Sequence, residues 1–128
     1  MRVLMVSDGI APERVGGSYR YLRDLCKALA ARGHECHVIV PQARKDAPLE
    51  EVGADGVAVH RVVDPPGPRL LGFACRPRAI AGRVTALIEE VKPEALGVHW
   101  AYLASALPAA RVPRICFFYG PWGAEFAA

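Results

Sequence analysis

The stretch RVLMVSDGIAPERVGGSYRYLRDLCKALAARGHECHVIVP, Arg2 to Pro41, decides the fold. Arg2 to Ser7 is a short apolar run with β-branched content, the pattern of a strand buried on both faces. Asp8 to Gly17 reads as a loop holding Pro12 and the pair Gly16-Gly17. Ser18 is placed to cap a helix whose apolar positions are Leu22, Leu25, Cys26, Leu29 and Ala30, the stripe of a helix lying on a sheet. Arg20, Arg23, Asp24, Lys27 and Arg32 occupy its other side, and Gly33 supplies the left-handed position that ends it. Cys36 to Val40 is the next strand. Strand, helix and strand of these lengths make a right-handed βαβ unit of a parallel sheet.

Outward from that unit, Ala43 to Gly56 is polar and broken by Pro48, Gly53 and Gly56, so it reads as a loop with room for one helical turn. Val57 to Val63 is the third strand. Pro65-Pro66-Gly67-Pro68 excludes regular structure. Arg69 to Phe73 then reads as a loop with apolar residues near Arg76, Arg78 and Arg83. Either it packs on its own domain or it offers a surface to a membrane or an amphipathic acceptor. From Pro77 to Val91 the positions Ile80, Val84, Leu87, Ile88 and Val91 follow the helical period, and Pro93 marks the stop. Ala95 to Trp100 is a fourth strand, Ala101 to Ala110 is helix-compatible as far as Pro108, and Arg114 to Tyr119 is a fifth strand. The order β-α-β-β-α-β-α-β predicts an α/β fold, a Rossmann-like doubly wound parallel sheet with strand order 3-2-1-4-5.

At 128 residues the chain is long enough for one domain with a buried core, and a 52% hydrophobic share marks it as globular. The net charge of +3 is mild, with no basic stripe and no interleaved aromatics, so nucleic acid is not an expected partner. Asp8 interrupts the apolar start, which argues against a signal peptide, and no apolar run approaches the roughly 20 residues of a membrane span. Cys26, Cys36, Cys75 and Cys116 have no CxxC spacing, so buried, reduced thiols and a cytoplasmic location are expected. His34 and His37 straddle a helix end and a strand start with no further ligand in register, so no metal is expected.

In an open parallel sheet, ligands lie beyond the carboxyl ends of the strands at the switch point, here between the first and fourth strands. Three features follow strands ending on that rim: Gly16-Gly17, His99, and Tyr119-Gly120-Pro121-Trp122. A glycine pair ahead of a helix lets backbone N–H groups approach a phosphate, and is otherwise simply a flexible turn. His99 is suited to bond a sugar hydroxyl or a phosphate, Trp122 to stack on a sugar face, and Glu125 adds a carboxylate nearby. Each also has a purely structural reading: a strand-end histidine, a loop plug and a solvated acid. The loop lacks the GxGxxG spacing, and no acid closes the second strand at Val40-Pro41, which disfavours a nicotinamide enzyme.

With these residues in view, the chain resembles family 4 glycosyltransferases. Gly16-Gly17 followed by the helix ending Ala31-Arg32-Gly33-His34-Glu35 looks like the family's start. Val98-His99-Trp100-Ala101-Tyr102 looks like its next block, and Pro113 to Glu125 looks like the segment usually written HGPW with a following acid. The resemblance implies the amino-terminal half of a GT-B enzyme, two Rossmann-like domains around a cleft, with this half receiving the acceptor and the other holding most of the nucleotide-sugar donor. It implies glycosyl transfer with retention and no metal or cofactor. Gly16 and Gly17 would face the donor diphosphate and the acceptor, His99 would line the acceptor side, and Glu125 would match the family acid.

Two departures stand out. Tyr119 occupies the place of the family's usual histidine beside the transferred sugar, and it carries no charge near neutral pH. The chain also ends at Ala128, ahead of any donor domain, so residues 1–128 are expected to be an incomplete, truncated amino-terminal domain, inactive alone. A degenerate, non-catalytic binding or partner subunit of the same fold is the alternative. The expected partners are a nucleotide-sugar donor, a sugar, lipid or small-molecule acceptor, and a membrane touched peripherally at its inner face.

Overall fold

The computed structural model describes residues 1–105 and 107–119. Nine elements follow in order: β1 (Arg2–Val6), α1 (Gly17–Ala31), β2 (Glu35–Pro41), β3 (Glu50–Val52), β4 (Val57–Val62), α2 (Arg69–Val91), β5 (Ala95–Val98), α3 (Ala101–Ala104) and β6 (Arg114–Cys116). The strands form one sheet in the order β3-β4-β2-β1-β5-β6, all neighbours parallel except the β3–β4 pair. The Rossmann-like doubly wound sheet read from the sequence is therefore present. The strands expected as 3-2-1-4-5 are β4-β2-β1-β5-β6.

The core has two layers because strand residues alternate between faces. Val3, Met5, Val38, Val40, Val57 and Val59 pack under α1 through Leu22 and Cys26. Leu4, Val6, Ile39, Leu96 and Val98 pack under α2 through Ile80, Val84 and Leu87. Both helical stripes predicted from periodicity thus face the sheet. A fully buried side chain of this kind stabilises by about 1.5–3 kcal/mol.

Helix ends follow local chemistry. Gly33 has φ +84, its N–H donates to Ala30 O at 3.0 Å, and the His34 N–H donates to Leu29 O at 3.1 Å. That pair of bonds satisfies the last carbonyls of α1 as a Schellman motif. The start differs from expectation: Gly16 is the N-cap, Ser18 lies inside the helix, and no side chain caps it.

Three further expectations are corrected. Glu50–Val52, read as loop, is an antiparallel edge strand, with Glu50 opposite His60 and bonded to its ring, and Glu51 opposite Val59 and ion-paired with the adjacent Arg61. Arg69 to Phe73, also read as loop, forms the start of α2, so Pro77 lies inside a 23-residue helix and does not open it. β6 stops at Cys116, and all three of its residues are exposed, so the Cys116 thiol is not buried. Cys26 and Cys36 are buried as expected.

Candidate functional site

The site is built where β1 and β5 end side by side. The His99 N–H donates to Val6 O at 2.9 Å and the Phe117 N–H donates to Val98 O at 2.8 Å. These bonds prolong the ladder, carry His99 to the switch point, and bring Phe117 in beside it. The two connections diverge here, since α1 covers one face and α2 the other.

His99 is almost wholly buried, at 1% exposure. Its ring stacks on Phe117 with centroids 4.1 Å apart and planes 9° apart, and its Nδ1 lies 2.5 Å from the Tyr119 hydroxyl. Gly97 makes the stack possible: a Cβ there would press on Met5 Sδ and stand 3.2 Å from the Phe117 ring. Burial pulls the His99 pKa down to about 4, so the imidazole is neutral at physiological pH. Its Nε2 is buried without a hydrogen-bond partner among the described residues. Burial pushes the Tyr119 hydroxyl up to about 12, so it remains a neutral donor or acceptor. Tyr21 meets Tyr119 edge-on at 6.2 Å, and Trp100 lies 6.3 Å from the same ring.

The glycine pair forms the opposite corner. Gly16 has φ +156, a left-handed value that favours glycine, and a Cβ there would stand 3.0 Å from Tyr19. A Cβ on Gly17 would meet nothing within 4 Å. Gly17 opens into a cleft of about 450 Å³ also lined by Pro12, Arg14, Val15 and Arg20. Neither arginine forms an ion pair with a carboxylate among the described residues. Tyr19, beside Gly16, lies 6.0 Å from Trp100, so an aromatic row runs from the glycine corner through Trp100 to Tyr119 and His99.

Four of the six candidate side chains or backbones, Gly16, Gly17, His99 and Tyr119, therefore lie along one rim. Trp122 and Glu125 lie outside the described residues. Sequence reasoning passed over Asp8, which it treated only as the end of an apolar run. Asp8 is buried at the end of β1, and burial raises its pKa against the opposing pull of Arg14, Tyr19, Arg76 and Tyr102. Its one legible signal is position, a carboxylate directly after the central strand. Among the described residues, no group of three or more His, Cys, Asp or Glu side chains is arranged to hold a metal ion.

Comparison with known proteins agrees with this fold. No curated protein matches the sequence significantly. Sucrose-phosphate synthase from Thermosynechococcus elongatus has a similar solved structure, with a TM-score of 0.78 at 14% identity over 99% of this chain. At that identity the likeness speaks to the fold alone. The chain spans 35% of the length of that synthase. The model of the family described as Glycosyltransferase Family 4 matches residues 15–127, a span that takes in the glycine corner, His99 and Tyr119. The chain belongs to glycosyltransferase family 4.

Proposed function

We propose that this chain is the acceptor-side, amino-terminal part of a retaining GT-B glycosyltransferase that transfers a sugar from a nucleotide-sugar donor held mainly by a second domain. The observation that carries the reading is the open side of Gly17 at a helix start on the switch-point rim. Backbone N–H groups there can approach a diphosphate closely, and the helix dipole favours negative charge. Gly16 and Gly17 would face the donor diphosphate and the acceptor, His99 would hold an acceptor hydroxyl through Nε2, and Trp122 and Glu125 would complete the rim. The chemistry needs stabilisation of an oxocarbenium-like centre and of the leaving diphosphate, which oriented backbone donors and basic groups supply. The span matched in the synthase supports a protein in which a donor domain accompanies this one.

The test uses the full-length gene product. A Cβ at Gly17 would meet nothing within 4 Å, so Gly17→Phe introduces its ring from open space at the mouth of the cleft. A drop of roughly 100-fold in kcat/KM is expected, from lost positioning near the reacting centre. Unchanged turnover would remove the glycine corner from the mechanism.

Tyr119 favours a second reading, a binding or partner subunit without catalysis. Its hydroxyl is engaged by His99 and uncharged. Comparing the natural protein with Tyr119→His decides: transfer appearing only in the histidine variant identifies a binding module, and transfer by the natural protein rules that out.

We place the protein in the cytoplasm, with the exposed Leu70 and Leu71 at the start of α2, near Arg78, as a point of peripheral contact with the inner membrane face. No helix among the described residues is long and apolar enough to cross a membrane.

A further inference from the structure

A second hollow, of about 370 Å³, lies beside the glycine cleft and shares with it only the wall made by Ala11 and Pro12. Its polar lining is Glu13, Arg23, Arg44, Asp46, Glu51 and Arg61. Arg61 is its fixed point: it is 7% exposed, and each of its three guanidinium nitrogens donates a hydrogen bond. Nε donates to Glu13 at 2.9 Å, Nη1 to Pro48 O at 2.7 Å, and Nη2 to Glu51 at 2.7 Å and also to Glu13. Arg44 grips Asp46 through two bonds of 3.1 and 2.7 Å, and Arg23 pairs with Asp55 at 2.7 Å. A charge as buried as Arg61 is stable only because its partners are in place, so the hollow is held open by a fixed frame.

Each guanidinium lining this space is already paired with a carboxylate, Arg61 with Glu13 and Glu51, Arg44 with Asp46 and Arg23 with Asp55, so none presents an uncompensated positive charge. An anion entering it finds no free cation and meets Glu13, Asp46 and Glu51 beside the arginines, while a cation finds each of these carboxylates already engaged by an arginine. A hydroxyl group suits such walls, because it donates to a carboxylate and accepts from a guanidinium. Each carboxylate keeps lone-pair sites beyond those its arginine occupies. Pro12, Pro48 and Val59 supply apolar surface for the C–H face of a ring. The volume stands near the lower end of the roughly 300–1,000 Å³ usual for ligand pockets, which suits one ring and not a chain of them.

We propose that this hollow binds a neutral polyhydroxylated ring, a monosaccharide or cyclitol, as the acceptor. The assignment rests on the acceptor-side reading above and names the substrate class for it. The ring would lie across the Ala11-Pro12 wall from the glycine corner, where the donor diphosphate is expected.

Titration of the 128-residue chain, followed by amide NMR shifts, tests the proposal with myo-inositol, glucose, glucose 6-phosphate and a uridine diphosphate sugar as probes. Neutral myo-inositol or glucose should give saturable shifts at Glu13, Ala47, Glu51 and Arg61, with glucose 6-phosphate at least tenfold weaker. The Arg44 side chain is 66% exposed and that of Glu51 46%, and Glu13 and the Pro48 carbonyl still hold Arg61 when Glu51 is replaced by the neutral, similarly shaped glutamine. Glu51→Gln removes one negative charge from the walls and should move the preference toward glucose 6-phosphate by about fivefold, and Arg44→Gln should move it the other way by a similar factor. Glucose 6-phosphate binding as tightly as glucose to the natural chain, or no saturable shift from either neutral probe, would overturn the inference. A preference that ignores both charge changes would do the same. Polyol binding at these amides, coupled with a full-length product that transfers sugar to no acceptor, would instead sink the glycosyltransferase reading and leave the hollow standing.

Discussion

Of the side chains on the rim, His99 carries the clearest energetic consequence. A neutral imidazole buried against Phe117 resists protonation, with its pKa at about 4 against 6.5 when exposed. The unfolded chain therefore takes up a proton near pH 6.5 that the folded chain refuses until about pH 4. Stability from this group is intact above pH 6.5 and is lost as the pH falls through that window, by roughly 3 kcal/mol at its lower end. Burial lowers His60 in the same direction, with the Glu50 carboxylate opposing part of the effect. Asp8 acts oppositely, since its raised pKa lets the folded chain take a proton first on acidification. Comparing His99→Phe with the natural chain isolates the histidine, because the ring still stacks on Phe117 but no longer titrates. Urea midpoints should fall less between pH 7 and pH 4 in the variant, and equal falls would refute the assignment. None of this was legible from His99 as a letter in the sequence. Its placement at a strand end was legible, but its burial depends on Gly97 admitting Phe117, a contact between residues 20 apart.

The elements divide by how local their causes are. β1, α1 and β2 were legible because apolar period, glycine stop and strand composition all lie within forty residues. Gly33 illustrates the local kind: at φ +84 a side chain is strained, so Gly33→Ala should cost about 1 kcal/mol in denaturant titrations with an unchanged m value. A cost near zero would mean that the helix end relaxes. β3 was not legible, because three exposed residues have no period of their own and are a strand only through pairing with β4. The start of α2 was hidden for a related reason. Pro77 normally signals a helix start, yet here α2 keeps Pro77 in its interior and forgoes one backbone bond, while packing of Ile80, Val84 and Leu87 holds the rest. Tertiary contacts outweighed the local signal.

Taken entire, the sheet has two unlike edges. β3 presents Glu50 and Glu51, charges that discourage further pairing. β6 leaves Ile115 at 54% exposure, and Phe118 just beyond it stands at 80%. An edge of that kind invites another strand, so the isolated chain should self-associate. Ile115→Lys should raise the monomer fraction in light scattering after size exclusion, whereas a natural chain that is already a clean monomer would count against the idea. The strand order was legible in the sequence, and with it the meeting of Gly16, Gly17, His99 and Tyr119 on one rim. The ion-paired hollow was not, because Glu13 and Arg61 are 48 residues apart and only the laying of β4 beside β2 brings them together.

That ion pair also bears on the order in which the molecule is made. The turn ahead of the glycine pair leaves the ribosome early, yet the guanidinium that fixes it belongs to β4. Until β4 has been synthesised and has joined the sheet, Glu13 has no Arg61 to hold it, and the turn relies on the Arg14 N–H to Ile10 O and Ala11 N–H to Tyr19 O bonds. The corner at the front of the chain thus gains this side-chain partner only after residue 61 has been made, and a pause in translation before that residue would leave Glu13 without it.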